Sequence, residues 1–205
     1  MSRRLHVKHG IDRLGALGLL TAASPLMGLV ALAILVDDGR PVFFVQERPG
    51  HRERPFRCFK FRTMIRDADR FVDARGRPTR SRVTRVGRWL RRTSLDELPQ
   101  LANIALGHMS FVGPRPTTAS MAARFTDEQR RRFRMRPGVT GLAQLAGRNT
   151  VRWSRRLELD NAYIDRWSLS ADARILLATV PMVVRGEGVV LDRNPEQVDD
   201  LQGAS

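Results

Sequence analysis

Apolar residues crowd into one stretch near the start of this chain and are spread more thinly after it. From Leu14 to Val36 no residue is charged, and Ser24-Pro25 stands at the middle of the run. An uncharged apolar run of about 18 residues or more is a candidate membrane helix. At about 1.5 Å per residue this one would extend roughly 35 Å, enough to cross. Two features oppose a simple crossing. Proline inside a helix removes a backbone bond and clashes with the preceding turn. Basic residues also flank both ends: Arg3, Arg4, Lys8 and Arg13 before the run, and Arg40, Arg48, Arg52, Arg54 and Arg57 after it. Positive flanks favour the cytoplasmic side. A helix that enters, breaks at Ser24-Pro25 and returns satisfies both ends; a single span that tolerates its proline is the alternative. A cleaved signal peptide fits poorly, because the run is too long and no small-residue cleavage site ends it.

After the run the pattern shortens. Asp37-Asp38-Gly39 is turn chemistry. Pro41–Gln46 and Pro55–Phe61 read as strands of a hairpin joined by a polar turn. Residues 64–74 suggest a helix, 75–84 a basic loop, and 86–92 a short helix. Thr93-Ser94 offers a cap for a further helix that carries Asp96 and Glu97 in its first turn and buries Leu98, Leu101, Ile104 and Ala105. Residues 109–112 read as a strand, 117–135 as a helix with a basic face, and 137–147 as a glycine-punctuated loop or strand. Residues 152–167 and 171–185 read as two more helices. The last carries Ile175, Leu176, Thr179, Met182 and Val183 at helical spacing, a stripe for the core or for a membrane interface. The fold class is therefore α+β and mostly helical. It divides into a basic lead-in and broken membrane helix (1–38), a cytoplasmic domain with a short hairpin and interfacial amphipathic helices (39–187), and a loose tail (188–205).

Charge narrows the possible partners. The 205 residues carry a net charge of +15, and of 36 basic residues only Lys8 and Lys60 are lysine. A basic surface suits nucleic acid, anionic lipid or phosphorylated substrates, and the apolar run favours the last two. Aromatics make up only 6% of the chain, whereas single-strand binders interleave bases with aromatic platforms; nucleic acid is not an expected partner. Cys58 is the only cysteine, and the four histidines are scattered without metal-ligand spacing.

The candidate chemistry centres on Asp96-Glu97. Acidic residues at a helix start can be simple caps. The neighbourhood adds to that: Arg88, Arg91 and Arg92 precede the pair, Arg115 lies between two prolines, and Arg136-Pro137-Gly138 follows. Arginine's planar fork matches phosphate oxygens. Phosphoryl transfer needs such a set: one carboxylate as nucleophile, another for Mg²⁺, and cations for the transferring group.

The segments GRPVFFVQERPG (39–50), FKFRTM (59–64), RVGRWLRRTSLDELPQLANIALG (85–107), MSFVGPRP (109–116), RMRPGVTGLAQLAGR (134–148) and LELDNAYIDRWSLSADARILLATV (157–180) occur in one order. In them the chain resembles the bacterial sugar transferases, the monotopic phosphoglycosyl transferases, in their minimal catalytic form. The resemblance implies a re-entrant membrane helix with both ends cytoplasmic, at the bacterial inner membrane. It implies transfer of a sugar-1-phosphate from a UDP-sugar to polyprenyl (undecaprenyl) phosphate with release of UMP, in exopolysaccharide or other glycoconjugate synthesis. Asp96 would carry the sugar-phosphate between two half-reactions, Glu97 would hold Mg²⁺, and Arg115 would hold phosphate. Lys60, Arg62, Arg91, Arg136 and Arg148 are further candidates for phosphate or nucleotide contacts. A homodimer is a possible assembly. His108 departs from the pattern, standing where the family usually has an acidic residue. The competing readings are a catalytically impaired homologue and a basic membrane-attached binding protein.

Overall fold

The computed structural model describes residues 3–73, 79, 81–147, 150–186, 188 and 198–201. Helix α1 (Arg3–Asp38) comes first. It is followed by the hairpin β1 (Phe43–Pro49) and β2 (Pro55–Phe61), helices α2 (Arg85–Thr93) and α3 (Gln100–Ala105), and strand β3 (Ser110–Val112). Then come α4 (Ala119–Ala122), α5 (Asp127–Arg130), strand β4 (Gly138–Thr140), and helices α6 (Leu142–Leu145), α7 (Trp153–Asp165) and α8 (Leu169–Arg185). The described residues are mostly helical, with two small two-stranded sheets among them: antiparallel β1–β2 and parallel β3–β4.

The expected break at Ser24-Pro25 is not an interruption. Helix α1 runs through Pro25, and the local sequence explains how. Proline at 25 has no N–H for the carbonyl of Thr21, four residues back. The Ser24 hydroxyl donates to that same carbonyl at 2.8 Å, and the Thr21 hydroxyl donates to Leu17 O at 3.0 Å. Hydroxyl side chains thus take up the bond that proline forfeits, a known way for apolar helices to tolerate it.

The buried residues of α1 are Leu5, Lys8, Asp12, Ala16, Val30 and Ile34, spaced by three or four residues within each group and by about four whole helical turns between Ala16 and Val30, so they form one narrow face. Leu5 packs with Val112, Met135, Tyr163 and Ile175. Ala16 packs with Phe56, Cys58, Leu101, Ile104 and Met109. Val30 and Ile34 pack with Phe61 and Leu90. Both ends of α1 therefore rest on the same globular body. The rest of its circumference leaves Leu14, Leu17, Leu29, Leu32 and Val36 exposed. So much continuous apolar surface marks a contact with lipid or protein.

Lys8, counted above as a flanking charge, is buried. Its Nζ lies 2.7 Å from Asp172 Oδ2 and 3.4 Å from Asp12 Oδ2. Asp12 accepts from the Ser110 hydroxyl at 2.6 Å. Asp172 accepts from the Tyr163 hydroxyl at 2.7 Å and from Trp167 Nε1 at 3.2 Å. This network pins the start of α1 to β3, α7 and α8. Removing one partner of a buried pair leaves the other charge uncompensated. Asp172→Ala should therefore lower unfolding stability by about 3 kcal/mol, measured by denaturant titration in detergent; a loss of less than about 0.5 kcal/mol would mean the network is not holding the helix.

The hairpin forms as expected, with Phe43 opposite Phe61 and Val45 opposite Phe59. Asn103 of α3 clamps it, accepting from Phe59 N at 2.9 Å and donating to Arg57 O at 2.6 Å. The β3–β4 pairing had no signature in the sequence, because each strand is only three residues long. It requires glycine at two places: a Cβ on Gly138 would lie 2.1 Å from Gly113 N, and one on Gly113 would lie 2.4 Å from Arg136 O.

Four expected elements differ. The helix expected to start at Thr93-Ser94 with Asp96 and Glu97 in its first turn is a 3-10 turn, Leu95–Glu97, without a side-chain cap, and α3 starts only at Gln100. The helix expected over 64–74 is a β-bridge at Met64 to Val83 followed by a 3-10 turn, Ala68–Phe71. The helix expected over 117–135 is α4, α5 and a 3-10 turn (Arg131–Arg134). Thr118 and Thr126 each cap a new start, Thr126 with a capping box to Gln129. In the part of the expected loose tail that is described, Val198 is buried and Arg124 pairs with Asp199 at 2.6 Å. Asp200 accepts from the Ser154 hydroxyl at 2.6 Å; most of the remaining tail lies outside the described residues. On α8, Ile175 and Met182 face the core while Leu177, Val180 and Val184 point outward. Of the stripe read from the sequence, Ile175 and Met182 are buried, Thr179 and Val183 are partly buried, and Leu176 is exposed with the outward face.

Candidate active site

The site is built where α2 stops. Ser94 takes a left-handed conformation (φ 60°) at the end of α2, and the chain turns into a single 3-10 turn, Leu95–Glu97, before α3 begins. Leu95 and Leu98 pack against the Phe61–Leu90 cluster. With those two side chains partly buried against it, Asp96 and Glu97 line a cavity of about 980 Å³. Its walls come from the hairpin, the segment after β2, the start of β4 and the inner face of α8; Lys60, Arg91, Arg115, Val139 and Thr179 are among the residues that line it.

Glu97 Oε1 receives Lys60 Nζ and Arg115 Nη2, each at 2.7 Å. Burial acts to raise the Glu97 pKa, but Arg115 and Lys60 outweigh it and hold the carboxyl well below the usual carboxylate range. Asp96 goes the other way. Burial, and then the negative charge of Glu97, push it up to about 6 against the pull of Lys60, Arg91 and Arg115. Neighbouring carboxylates driven apart in this way are a recurring mark of functional sites. Glu97 is a permanent anion; Asp96 is an anion near neutrality that is less solvated than a surface aspartate.

The loop after β3 is held from behind. Arg132 Nη2 donates to the Arg115 carbonyl, and Arg48 Nη1 donates to the Pro116 carbonyl at 3.1 Å. Arg132 pairs with Asp160 at 2.9 Å, each side chain 2% exposed. Asp160 is pushed up to about 6 by burial, with Arg132 and Arg156 acting against the shift. Sequence reading missed Arg132 and Arg48 and gave Asp160 no role. The three residues lie far apart along the chain, and in so arginine-rich a sequence no local pattern marks these contacts.

The remaining sequence candidates separate. Lys60 and Arg91 line the cavity, Arg91 with its Nε on the Thr63 hydroxyl at 2.9 Å. Arg62 also borders it, but its guanidinium is engaged by the end of α1. It meets Asp38 Oδ2 at 2.6 Å and the carbonyls of Asp38 and Gly39 at 3.0 and 2.7 Å. Arg136 is not among the lining residues and lies near Arg13 and Asp12. Arg148 lies outside the described residues. His108 is exposed in the turn before β3, 6.0 Å from the Phe56 ring centroid, and does not line the cavity.

Residues 3–186 match the model of the family described as bacterial sugar transferase. The chain belongs to that family. It is similar to an uncharacterized sugar transferase, EpsL, of Bacillus subtilis, at 40% identity over 89% of this chain and 90% of the relative. It is also 44% identical to a UDP-glucose:undecaprenyl-phosphate glucose-1-phosphate transferase of Caulobacter vibrioides, over 82% of this chain and 67% of that protein. An undecaprenyl-phosphate glucose phosphotransferase of Komagataeibacter xylinus matches at 42% over 84% of this chain, which corresponds to 35% of that longer protein. This transferase therefore shares the scaffold of sugar-phosphate enzymes over nearly its whole described length.

A divalent metal finds limited but suitable ligands. Among the described residues no three His, Cys, Asp or Glu side chains gather into a metal cage. Asp96 and Glu97 are adjacent, and the two cations bind only Oε1 of Glu97. One or two carboxylates fit Mg²⁺, which keeps waters and takes further oxygens from substrate phosphates.

Proposed function

We propose that this transferase moves a sugar-1-phosphate from a UDP-sugar to undecaprenyl phosphate in two steps through Asp96, with UMP as the other product. The observation that carries the reading is the adjacent Asp96-Glu97 pair facing a basic cavity, Glu97 held by Lys60 and Arg115 and Asp96 left with a raised proton affinity. In the first step an Asp96 oxygen attacks the phosphorus that bears the sugar. The bond to the bridging oxygen breaks, UMP leaves with that oxygen and its electrons, and Asp96 becomes an acyl phosphate. In the second, an oxygen of the lipid phosphate attacks the same phosphorus, the acyl bond breaks, and Asp96 regains its charge. Lys60, Arg91 and Arg115 line the path of the charged groups and stabilise the transferring phosphoryl oxygens. Glu97 holds Lys60 and Arg115 in place and supplies a carboxylate oxygen to Mg²⁺. When bound, the metal neutralises charge on the diphosphate.

Membrane attachment through α1 follows from its exposed apolar surface, and the same reading places both ends of the helix at the cytoplasmic face of the inner membrane. What supports this is that residues 5–16 and 30–34 of α1 pack on one body, which a straight crossing would pull apart. The outward residues Leu177, Val180 and Val184 of α8 and the exposed Phe43 of β1 supply further interfacial surface. Single cysteines at Arg4 and Arg40, both exposed, should label from the cytoplasmic side alone; Cys58 is buried and gives little background. Labelling of either one only from the opposite side would mean a true span.

The assay for the function itself is UMP release by the detergent-solubilised protein, with Mg²⁺, undecaprenyl phosphate and a panel of UDP-sugars. Multiple-turnover release that depends on the lipid is expected with at least one donor. No release with any of them would count against the reading and favour a homologue that has lost its chemistry.

A further inference from the structure

We propose that Asp160 and Arg132 are positioning residues that set Arg115 over the Asp96–Glu97 pair from the far side of the Pro114-Arg115-Pro116 loop; the proposal rests on the role of Arg115 given above. Arg132 is a cation with almost no access to water. Its Nη2 joins two groups, the Asp160 carboxylate at 2.9 Å and the backbone carbonyl of Arg115. Its guanidinium carbon also lies 5.5 Å from the centre of the Phe125 ring and 5.9 Å from that of Phe133. Aromatic rings beside it and a carboxylate within ion-pair distance confine this side chain, and from that place it grips the loop by its main chain. The loop's own side chain, Arg115, reaches Glu97 on the cavity side. A line of charge-assisted contacts thus runs from α7 through the loop to the reactive pair.

Fold stability alone gives little reason for such an arrangement. A buried ion pair can often be replaced by apolar residues of similar volume at no loss of stability, and Phe125 and Phe133 lie against Arg132, although Asp160 also faces Arg156, a second buried cation. What an apolar pair cannot do is donate to the Arg115 carbonyl. A side chain on a loop is placed only as well as its backbone is, and a catalytic cation displaced by even about 1 Å loses much of its effect. Pro114 and Pro116 stiffen the loop, while the hydrogen bond from Arg132 fixes where the stiff loop sits.

The test is the combined exchange Arg132→Met with Asp160→Leu in the full chain. Because Asp160 also faces buried Arg156, some thermal stability should be lost, and exchange and turnover are compared at a temperature where both proteins are folded. Hydrogen exchange in the peptide spanning 110–118 should quicken by about tenfold while α7 is unchanged. Turnover should fall by about tenfold or more, the size of a lost charged hydrogen bond. In an Arg115→Ala background the same exchange should alter turnover by less than about twofold, because both changes act through one side chain. Unchanged exchange at 110–118 would overturn the proposal whatever the turnover. A full further loss in the Arg115→Ala background would assign the pair to general stability instead. If the unaltered protein releases no UMP from any donor, the functional reading fails, and loop exchange still decides the positioning. Should the double exchange not fold, Asp160→Asn keeps the volume and an acceptor and carries the same comparison at smaller amplitude.

Discussion

Replacing Asp96 with asparagine is expected to abolish UMP release, by at least about four orders of magnitude, while the protein stays folded. The substitution keeps the shape and removes the nucleophilic oxygen pair; loss of a covalent nucleophile has effects of this order or larger. Folding should not suffer, because Asp96 is strained as it stands. Its proton affinity is raised by burial and by Glu97. A carboxyl whose pKa is higher in the folded state than in the unfolded one weakens folding at neutral pH. Asp96→Asn should therefore leave thermal stability at pH 7 equal or slightly higher. Lost activity with intact stability assigns the residue to chemistry. Retention of even a hundredth of the turnover would contradict its role as nucleophile.

Glu97→Gln carries the second large effect, and its pH dependence separates two functions. At the optimum pH turnover should fall by about 10²–10³, because Lys60 and Arg115 both lose the anion that orients them. The acid limb should also move. In the unaltered protein Asp96 must be ionised to attack, so the rate of the first half-reaction should rise with pH through about 6. Glu97 contributes to that elevation, while Lys60 and Arg115 oppose it. Neutralising Glu97 removes a raising influence and turns two cations toward Asp96. Both changes lower the Asp96 pKa, so the limb should shift to lower pH. A limb that stays near 6 would show that some other group controls the rate.

The sequence made the site more legible than its supports. Asp96, Glu97, Lys60 and Arg115 could be named because they sit in short segments of recognisable order, and they meet in one place. Arg62 and Arg136 were named on the same grounds and are used elsewhere, Arg62 to tie down Asp38 and Gly39. In so arginine-rich a chain, residue type alone does not distinguish a phosphate ligand from a strut. Lys8 shows the same problem from the other side: it looks like a flanking membrane charge and is a buried partner of Asp172.

Secondary structure followed a similar rule. Where periodicity was long or alternation clear, as in α7, α8 and the hairpin, the elements lie where the pattern puts them. Where a single threonine restarts a helix, as at 118 and 126, the pattern of apolar residues carries no trace of the interruption. At Pro25 helical structure continues where an interruption was expected. A proline in an apolar run signals a break, but the signal omits the hydroxyl of Ser24, which supplies the missing bond. The three-residue strands β3 and β4 are too short to announce themselves, and their parallel pairing depends on the close approach of Gly113 and Gly138.

The most direct measurement is the intact mass of the protein after incubation with Mg²⁺ and its UDP-sugar donor, without any lipid acceptor. A two-step transfer through Asp96 is expected to add the mass of one sugar-phosphate to the chain, with a matching burst of UMP. The adduct should map to the peptide holding Asp96, disappear when undecaprenyl phosphate is added, and be absent in Asp96→Asn. UMP release that requires the lipid in the first turnover, with no added mass on the protein at any time, would contradict the account and point to direct transfer between the two substrates.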